Sequence, residues 1–146
     1  MNQKDINEIL TFKDLYATVI PKLQEFAVEY FQERDKILKE ILNTRNFSTE
    51  FWERKNLPEQ FDFSTIEDDE ICFIVWDYQE DNYVSIPVEH IINSNWRDLL
   101  REEFIAQKIA KEEKARKDQE DIEHMWKTKE IETYKRLKAI YGDQDV

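Results

Sequence analysis

The chain has 146 residues, 40% of them apolar and 37% charged, with a formal net charge of −12, one glycine and one cysteine. That length suits a single domain able to bury roughly 68% of its unfolded surface, and a sequence pI near 4.7 argues against a nucleic-acid binder that gains its affinity by neutralising phosphates. Gly142 alone allows neither a P-loop nor a Gly-rich dinucleotide turn, and Cys72 alone allows no internal disulfide.

There is neither an apolar run of about 18 residues nor a signal-peptide core. The expectation is a reduced, soluble, cytoplasmic protein that touches neither membrane nor nucleic acid directly.

In the first segment, Ile6, Ile9, Leu10, Leu15 and Tyr16 fall at helix-compatible spacing, with Thr11 and Asp14 placed like a capping pair. This predicts one or two short helices over 5–19. Pro21 suits the first turn of a new helix, where its missing N–H costs little. From there Leu23, Phe26, Ala27, Tyr30, Phe31, Ile37, Leu38, Ile41 and Leu42 build a continuous stripe. The predicted helix over 21–43 is roughly 34 Å long and can lay that stripe across a sheet.

Asn43, Asn46 and Ser48 then form a polar break. Phe51, Trp52 and Leu57 predict a short helix over 48–56, ended by Pro58. Trp52 has two readings, packing and ligand stacking, and packing is the commoner role of an aromatic.

Residues 60–95 carry nine Asp or Glu and no Lys or Arg. Within them Phe61 and Phe63 alternate with polar neighbours, which predicts an edge strand over 60–66. Residues 70–78 and 83–88, rich in β-branched and aromatic side chains, read as a hairpin closed by Gln79, Glu80, Asp81 and Asn82. Pairing Tyr78 with Tyr83 would set Val75 opposite Ile86 and Phe73 opposite Val88. One face would then hold Ile71, Phe73, Val75, Val84, Ile86 and Val88. The other would hold Cys72, Ile74, Trp76, Tyr78, Tyr83 and Pro87, and is expected to be covered by the protein's own helices.

Asn95, with Asp98 three residues on, is a good N-cap, and no Gly or Pro interrupts residues 96–141. The prediction is one helix, roughly 69 Å long. Trp96, Leu99, Leu100, Phe104, Ile105 and Ile109 form an apolar proximal third, and residues 111–121 are almost wholly charged. Ile122, Met125, Trp126, Tyr134, Leu137 and Tyr141 form the distal third and predict a homo-oligomer interface, a dimer first of all. The expected fold class is therefore α+β: a small antiparallel sheet flanked by helices in a body over 1–95, then a long C-terminal helix and short acidic tail over 96–146.

Catalytic chemistry finds little support. Glu120, Asp121 and His124 share a helix face but make an incomplete metal-ligand set, and His90 beside Glu89 has no nucleophile that can be placed next to it. Cys72 in a β-run reads as a small core hydrophobe. The run Glu67, Asp68, Asp69, Glu70 lacks the spacing of an EF-hand loop. The expectation is no enzyme, no metal and no cofactor.

The stretch DNYVSIPVEHIINSNWRDLLREE, followed by a Lys/Glu-rich helix, resembles small acidic proteins encoded by bacteriophages of low-GC bacteria. The matching residues are Tyr83, Val84, Pro87, Val88, Trp96 and Leu99. That resemblance implies a cytoplasmic accessory protein that binds and inhibits a host factor. The expected function is a non-catalytic interaction module whose acidic rim occupies a basic protein surface, with nucleic-acid-like electrostatics. The rim comprises Asp62, Glu67, Asp68, Asp69, Glu70, Asp77, Glu80 and Asp81. Two alternatives are binding of a small, nucleotide-like ligand on the aromatic face of Trp76, Tyr78 and Tyr83, and a structural assembly role.

Overall fold

In the computed structural model the described residues are 1–77 and 80–142, with the backbone alone at Glu80 and Asp81. Contacts divide the chain into two compact units, Met1–Phe104 and Ile105–Val146.

Helix α1, Gln3–Leu42, is uninterrupted. It starts where Asn2 and Asp5 cap each other: the Asp5 N–H donates to Asn2 Oδ1 at 2.9 Å, and the Asn2 N–H to Asp5 Oδ2 at 3.3 Å. The expected break at Pro21 does not occur. Pro21 and Ala17 are both exposed, so solvent can serve the Ala17 carbonyl that the proline ring leaves without a donor. Thr11 caps nothing either; its hydroxyl donates to Asn7 O at 2.9 Å inside the helix.

The helix ends at Asn43, whose left-handed backbone lets its own N–H and that of Thr44 reach Leu38 O. Among the described residues the left-handed non-glycine positions of this nearly glycine-free chain are Asn43, Asn56 and Asp68, at φ 53°, 56° and 51°. Asn and Asp tolerate that conformation better than other non-glycine residues.

The predicted helix over 48–56 resolves into α2, Thr49–Trp52, capped by Ser48 Oγ, which accepts from the Phe51 N–H at 3.0 Å. Pro58 does not end it. Instead it opens α3, Leu57–Gln60, from the first turn, a position where a missing N–H is harmless.

Strands β1, Phe61–Glu67, β2, Glu70–Asp77, and β3, Glu80–Pro87, form one antiparallel sheet in the order β1-β2-β3. The predicted edge strand is thus present, and a register shift between Phe63 and Thr65 bulges it at Ser64. Between β2 and β3 the pairs are Ile71 with Ile86, Phe73 with Val84 and Ile74 with Tyr83. This corrects the expected pairing of Val75 with Ile86. The correction amounts to an even number of residues, so the described side chains that stay in β2 and β3 keep their predicted faces. Tyr78, Gln79 and the acidic tail beyond Gly142 lie outside the described residues.

Val88 leaves the sheet to open a helix that the sequence did not suggest, α4, Val88–Ile92. Its N–H donates to Asp69 O in the β1–β2 turn at 2.7 Å. Helix α5, Trp96–Tyr141, then begins where Asn95 O accepts from the Leu99 N–H at 3.2 Å. It closes on Gly142, whose N–H donates to Lys138 O at 2.8 Å with φ 75°.

The inner sheet face supplies Phe61, Phe73, Val75 and Ile86 to the core. Ala27, Tyr30, Phe31, Ile37 and Leu38 of α1 meet them, with Trp96, Leu100 and Phe104 of α5. Phe31 stacks on Phe61 at 5.5 Å, and Trp96 lies 5.6 Å from Phe26 and 5.3 Å from Tyr30. Burying each such side chain is worth about 1.5–3 kcal/mol, so this cluster dominates stability. Surface ion pairs of Arg97 with Glu29 and Arg101 with Glu40 add little.

Among the described residues two carboxylates are buried with the core. Asp35, only 7% exposed, accepts from the Asn46 N–H at 2.7 Å, the Phe47 N–H at 3.2 Å and Trp52 Nε1–H at 2.9 Å. Asp77, 5% exposed, accepts from the Ser48 N–H and hydroxyl at 3.2 and 3.1 Å and from Arg54 Nη2 at 3.3 Å. Together they pin the segment around α2 between α1 and β2, which carries Phe47 and Phe51 into the core.

In Asp35→Ala, two backbone N–H groups and an indole N–H lose their acceptor. The variant should lose about 3 kcal/mol of unfolding free energy in urea titration, while Glu25→Ala at an exposed position of α1 should change it by less than about 0.5 kcal/mol. Equal small losses in both variants would show that Asp35 does not hold the segment.

Candidate interaction surface

Strand register assigns the outer sheet face. Alternation from the buried residues of β2 puts Glu70, Cys72, Ile74 and Trp76 on it. In register beside them stand Asp62, Thr65 and Glu67 of β1, and Tyr83, Ser85 and Pro87 of β3. Asp81 pairs with Trp76.

This face is not covered as the sequence had suggested. Trp76 is 52% exposed and Tyr83 78%. The reason is that α1, α4 and the start of α5 all pack toward the inner face, where the large apolar side chains lie. What remains outside is a slope of indole and phenol bordered by the carboxylates Asp62, Glu67 and Glu70. The Ser85 hydroxyl donates to Glu70 Oε2 at 3.2 Å and turns it toward β3. Asp68 and Asp69 form the β1–β2 turn at the end of the same face.

Asp77 does not belong to an exposed rim. It lies inside, bonded by Ser48 and Arg54, and Arg54 Nη1 also donates to Trp76 O at 2.6 Å. Glu80 pairs with Asp77 at the head of β3, and its side chain and that of Asp81 are outside the description. Asp35, the counterpart of Asp77, had no signal in the sequence beyond being one charge on an apolar-striped helix.

Cys72 sits on this face between Thr65 and Ser85. Burial first, then the carboxylates of Glu67 and Glu70, push its thiol above the usual cysteine range. The thiol is therefore a poor nucleophile at neutral pH.

His90 on α4 is 7% exposed and meets Tyr30, its Nδ1 standing 2.7 Å from the phenol oxygen. With the phenol protonated and the ring neutral, the tyrosine donates to Nδ1. A buried His engaged by a core tyrosine is a packing group. Among the described residues no group of three or more His, Cys, Asp and Glu side chains is arranged to hold a metal, so Glu120, Asp121 and His124 do not come together as a ligand set.

The second unit presents a different surface. Every residue from 105 to 142 is exposed, including Ile122, Met125, Trp126, Tyr134, Leu137 and Tyr141. On an α-helix, Ile122, Trp126, Leu137 and Tyr141 fall within about 100° of one another. In the first unit, Ile9, Phe12, Tyr16 and Val19 continue the core-facing stripe of α1 toward its N-terminus and are likewise exposed. Tyr16 reaches Phe63 edge-on at 6.3 Å.

No helix among the described residues is long and apolar enough to cross a membrane. Compared with protein-family models, curated proteins and solved structures, the chain matches none.

Burial raises the Tyr30 phenol far above the ordinary tyrosine value, and the nearby Arg34 opposes the shift only in part. A folded-state pKa above the unfolded value of about 10 means that this contribution to stability is complete below that pH and declines above it. In an alkaline titration followed by phenolate absorbance, the folded protein should show a phenol that ionises well above the ordinary tyrosine value. Tyr30→Phe should abolish that late phase, and its persistence in the variant would contradict the assignment.

Proposed function

We propose that the protein is a non-catalytic interaction module whose outer sheet face occupies a basic surface of another protein, in the manner of a bacteriophage inhibitor of a host factor. The observation that carries this reading is the exposure of Trp76 and Tyr83 on an uncovered sheet face edged by Asp62, Glu67 and Glu70. Aromatic anchors of this kind supply most of the binding energy in protein interfaces. The surrounding carboxylates steer a cationic partner and set the orientation of docking. The net charge of −12 extends that field beyond the contact itself, and the resemblance to small acidic phage proteins points the same way.

Wild-type protein and two variants, one carrying Asp62→Lys, Glu67→Lys and Glu70→Lys and the other Trp76→Ala with Tyr83→Ala, should be immobilised and exposed to bacterial lysate. The expected outcome is a specific protein retained by the wild type at low salt, released by roughly 0.5 M salt as charges are screened, and lost from both variants. Identical capture by all three proteins would sink the reading.

The same module pairs with a second copy of itself through distal α5. The apolar stripe of Ile122, Trp126, Leu137 and Tyr141 is flanked by Lys127, Lys129, Arg136 and Lys138, and Glu123 and Glu130 fall within its arc. The two-fold pairing of such a stripe buries its Trp and Tyr residues at an interface core. Sedimentation equilibrium should give twice the 17.9 kDa chain mass, and Trp126→Glu with Leu137→Glu should return the single-chain mass. A wild-type monomer at tens of micromolar would remove this part of the proposal.

A further inference from the structure

We infer that the groove between the last turns of α1 and helix α2 binds a mononucleotide, with the base against Trp52 and the phosphate among Lys36, Lys39 and Arg45. The groove is open to solvent, has a volume of about 580 Å³ and is lined by these four residues with Gln32, Asp35 and Glu40. That volume lies within the roughly 300–1,000 Å³ typical of small-ligand sites. The site lies within the first unit, and the inference does not rest on the reading of the outer sheet face.

The electrostatics of the groove oppose those of the rest of the body. Residues 1–104 carry 23 Asp or Glu against 11 Lys or Arg, yet three of those cations converge here. Both carboxylates in the lining are already engaged. Asp35 is taken by the Asn46, Phe47 and Trp52 N–H groups. Glu40 accepts from both terminal nitrogens of Arg101, at 3.2 and 3.1 Å, which holds its carboxyl below the usual range. Among the described residues Lys36 and Lys39 have no ion-pair partner. The groove therefore offers positive charge that its own walls do not neutralise.

The aromatic wall is set in advance. Trp52 Nε1–H is fixed to the buried Asp35 Oδ2 at 2.9 Å, and the ring is wedged edge-on by Phe47 at 5.4 Å and Phe51 at 4.9 Å. A ligand that stacks there meets an indole already ordered, and base stacking on aromatic side chains is sequence-tolerant. Lysine serves as a point charge for phosphate, and the arginine fork matches two of its oxygens.

The C-terminus of α1 is unfavourable to an anion. Its Leu38 carbonyl is already occupied by the Asn43 and Thr44 N–H groups, which leaves the cations to dominate. The overall negative charge selects a small anion over a long polyanionic strand, whose further phosphates would meet the acidic body.

Isothermal titration of the full chain with AMP, GMP, CMP and UMP, and with inorganic phosphate and adenosine, tests the inference. At least one mononucleotide should bind tenfold or more tightly than phosphate and than the nucleoside. The double variant Lys36→Glu, Lys39→Glu, both residues being exposed and free of structural bonds, should weaken that binding at least tenfold with an unchanged circular-dichroism spectrum. Absence of heat with every probe at millimolar ligand, phosphate binding as tightly as the nucleotides, or unaltered affinity in the double variant would overturn it.

Discussion

Two buried carboxylates organise this fold. Asp35 on α1 and Asp77 at the end of β2 each gather several donors from the segment that contains α2. Without Asp35 the backbone N–H of Phe47 would be buried with no acceptor, at a cost of about 1–3 kcal/mol, and those of Asn46 and Ser48 would lose their partners at the core's edge. With them, Phe47 and Phe51 pack against Phe31 and Phe61. The same bonds fix Trp52 over the end of α1 and hold Arg54 against β2. Both surfaces with a functional reading, the outer sheet face and the Trp52 groove, are thus positioned by one polar arrangement beneath them.

The sheet is one-sided because a three-stranded sheet has room for apolar cover on the face that carries its phenylalanines, and the helices of the first unit all go there. The opposite face keeps Trp76 and Tyr83 in water. Isolated exposed aromatics are unremarkable in a soluble protein. Here they share one pleated face with Ile74 and Cys72 and are edged by carboxylates, an arrangement closer to an interface core with a polar rim. The acidity of that rim and the cationic groove by Trp52 give one body two surfaces of opposite character.

How far the chain could be read in advance varies with the range of the interactions. The stripe from Leu23 to Leu42 is a local periodic signal and the run from Trp96 to Tyr141 has no breaker residue; both segments are helical, the first as the C-terminal half of one longer helix. Pro21 misled because its effect depends on what its neighbour Ala17 faces, which is a tertiary matter. The hairpin register was wrong while its faces were right, since alternation is local but pairing depends on the turn. α4 is too short to show a period, and it is held in place partly by a bond to Asp69, far away along the chain.

The sequence by itself determined the α+β class, the three strands, the two faces of the sheet and the positions of the charges, because each follows from side-chain chemistry at fixed spacing along the chain. Only the tertiary structure decided which carboxylates face solvent. Asp77 and Asp62 look alike in a list of acidic residues, yet one is sealed beneath Ser48 and Arg54 and the other stands open at the sheet edge. It also decided that Trp76 and Tyr83 stay uncovered and that Lys36, Lys39 and Arg45 meet around Trp52. These are contacts between segments distant in sequence, set by which elements can bury apolar surface together, and no local pattern records them.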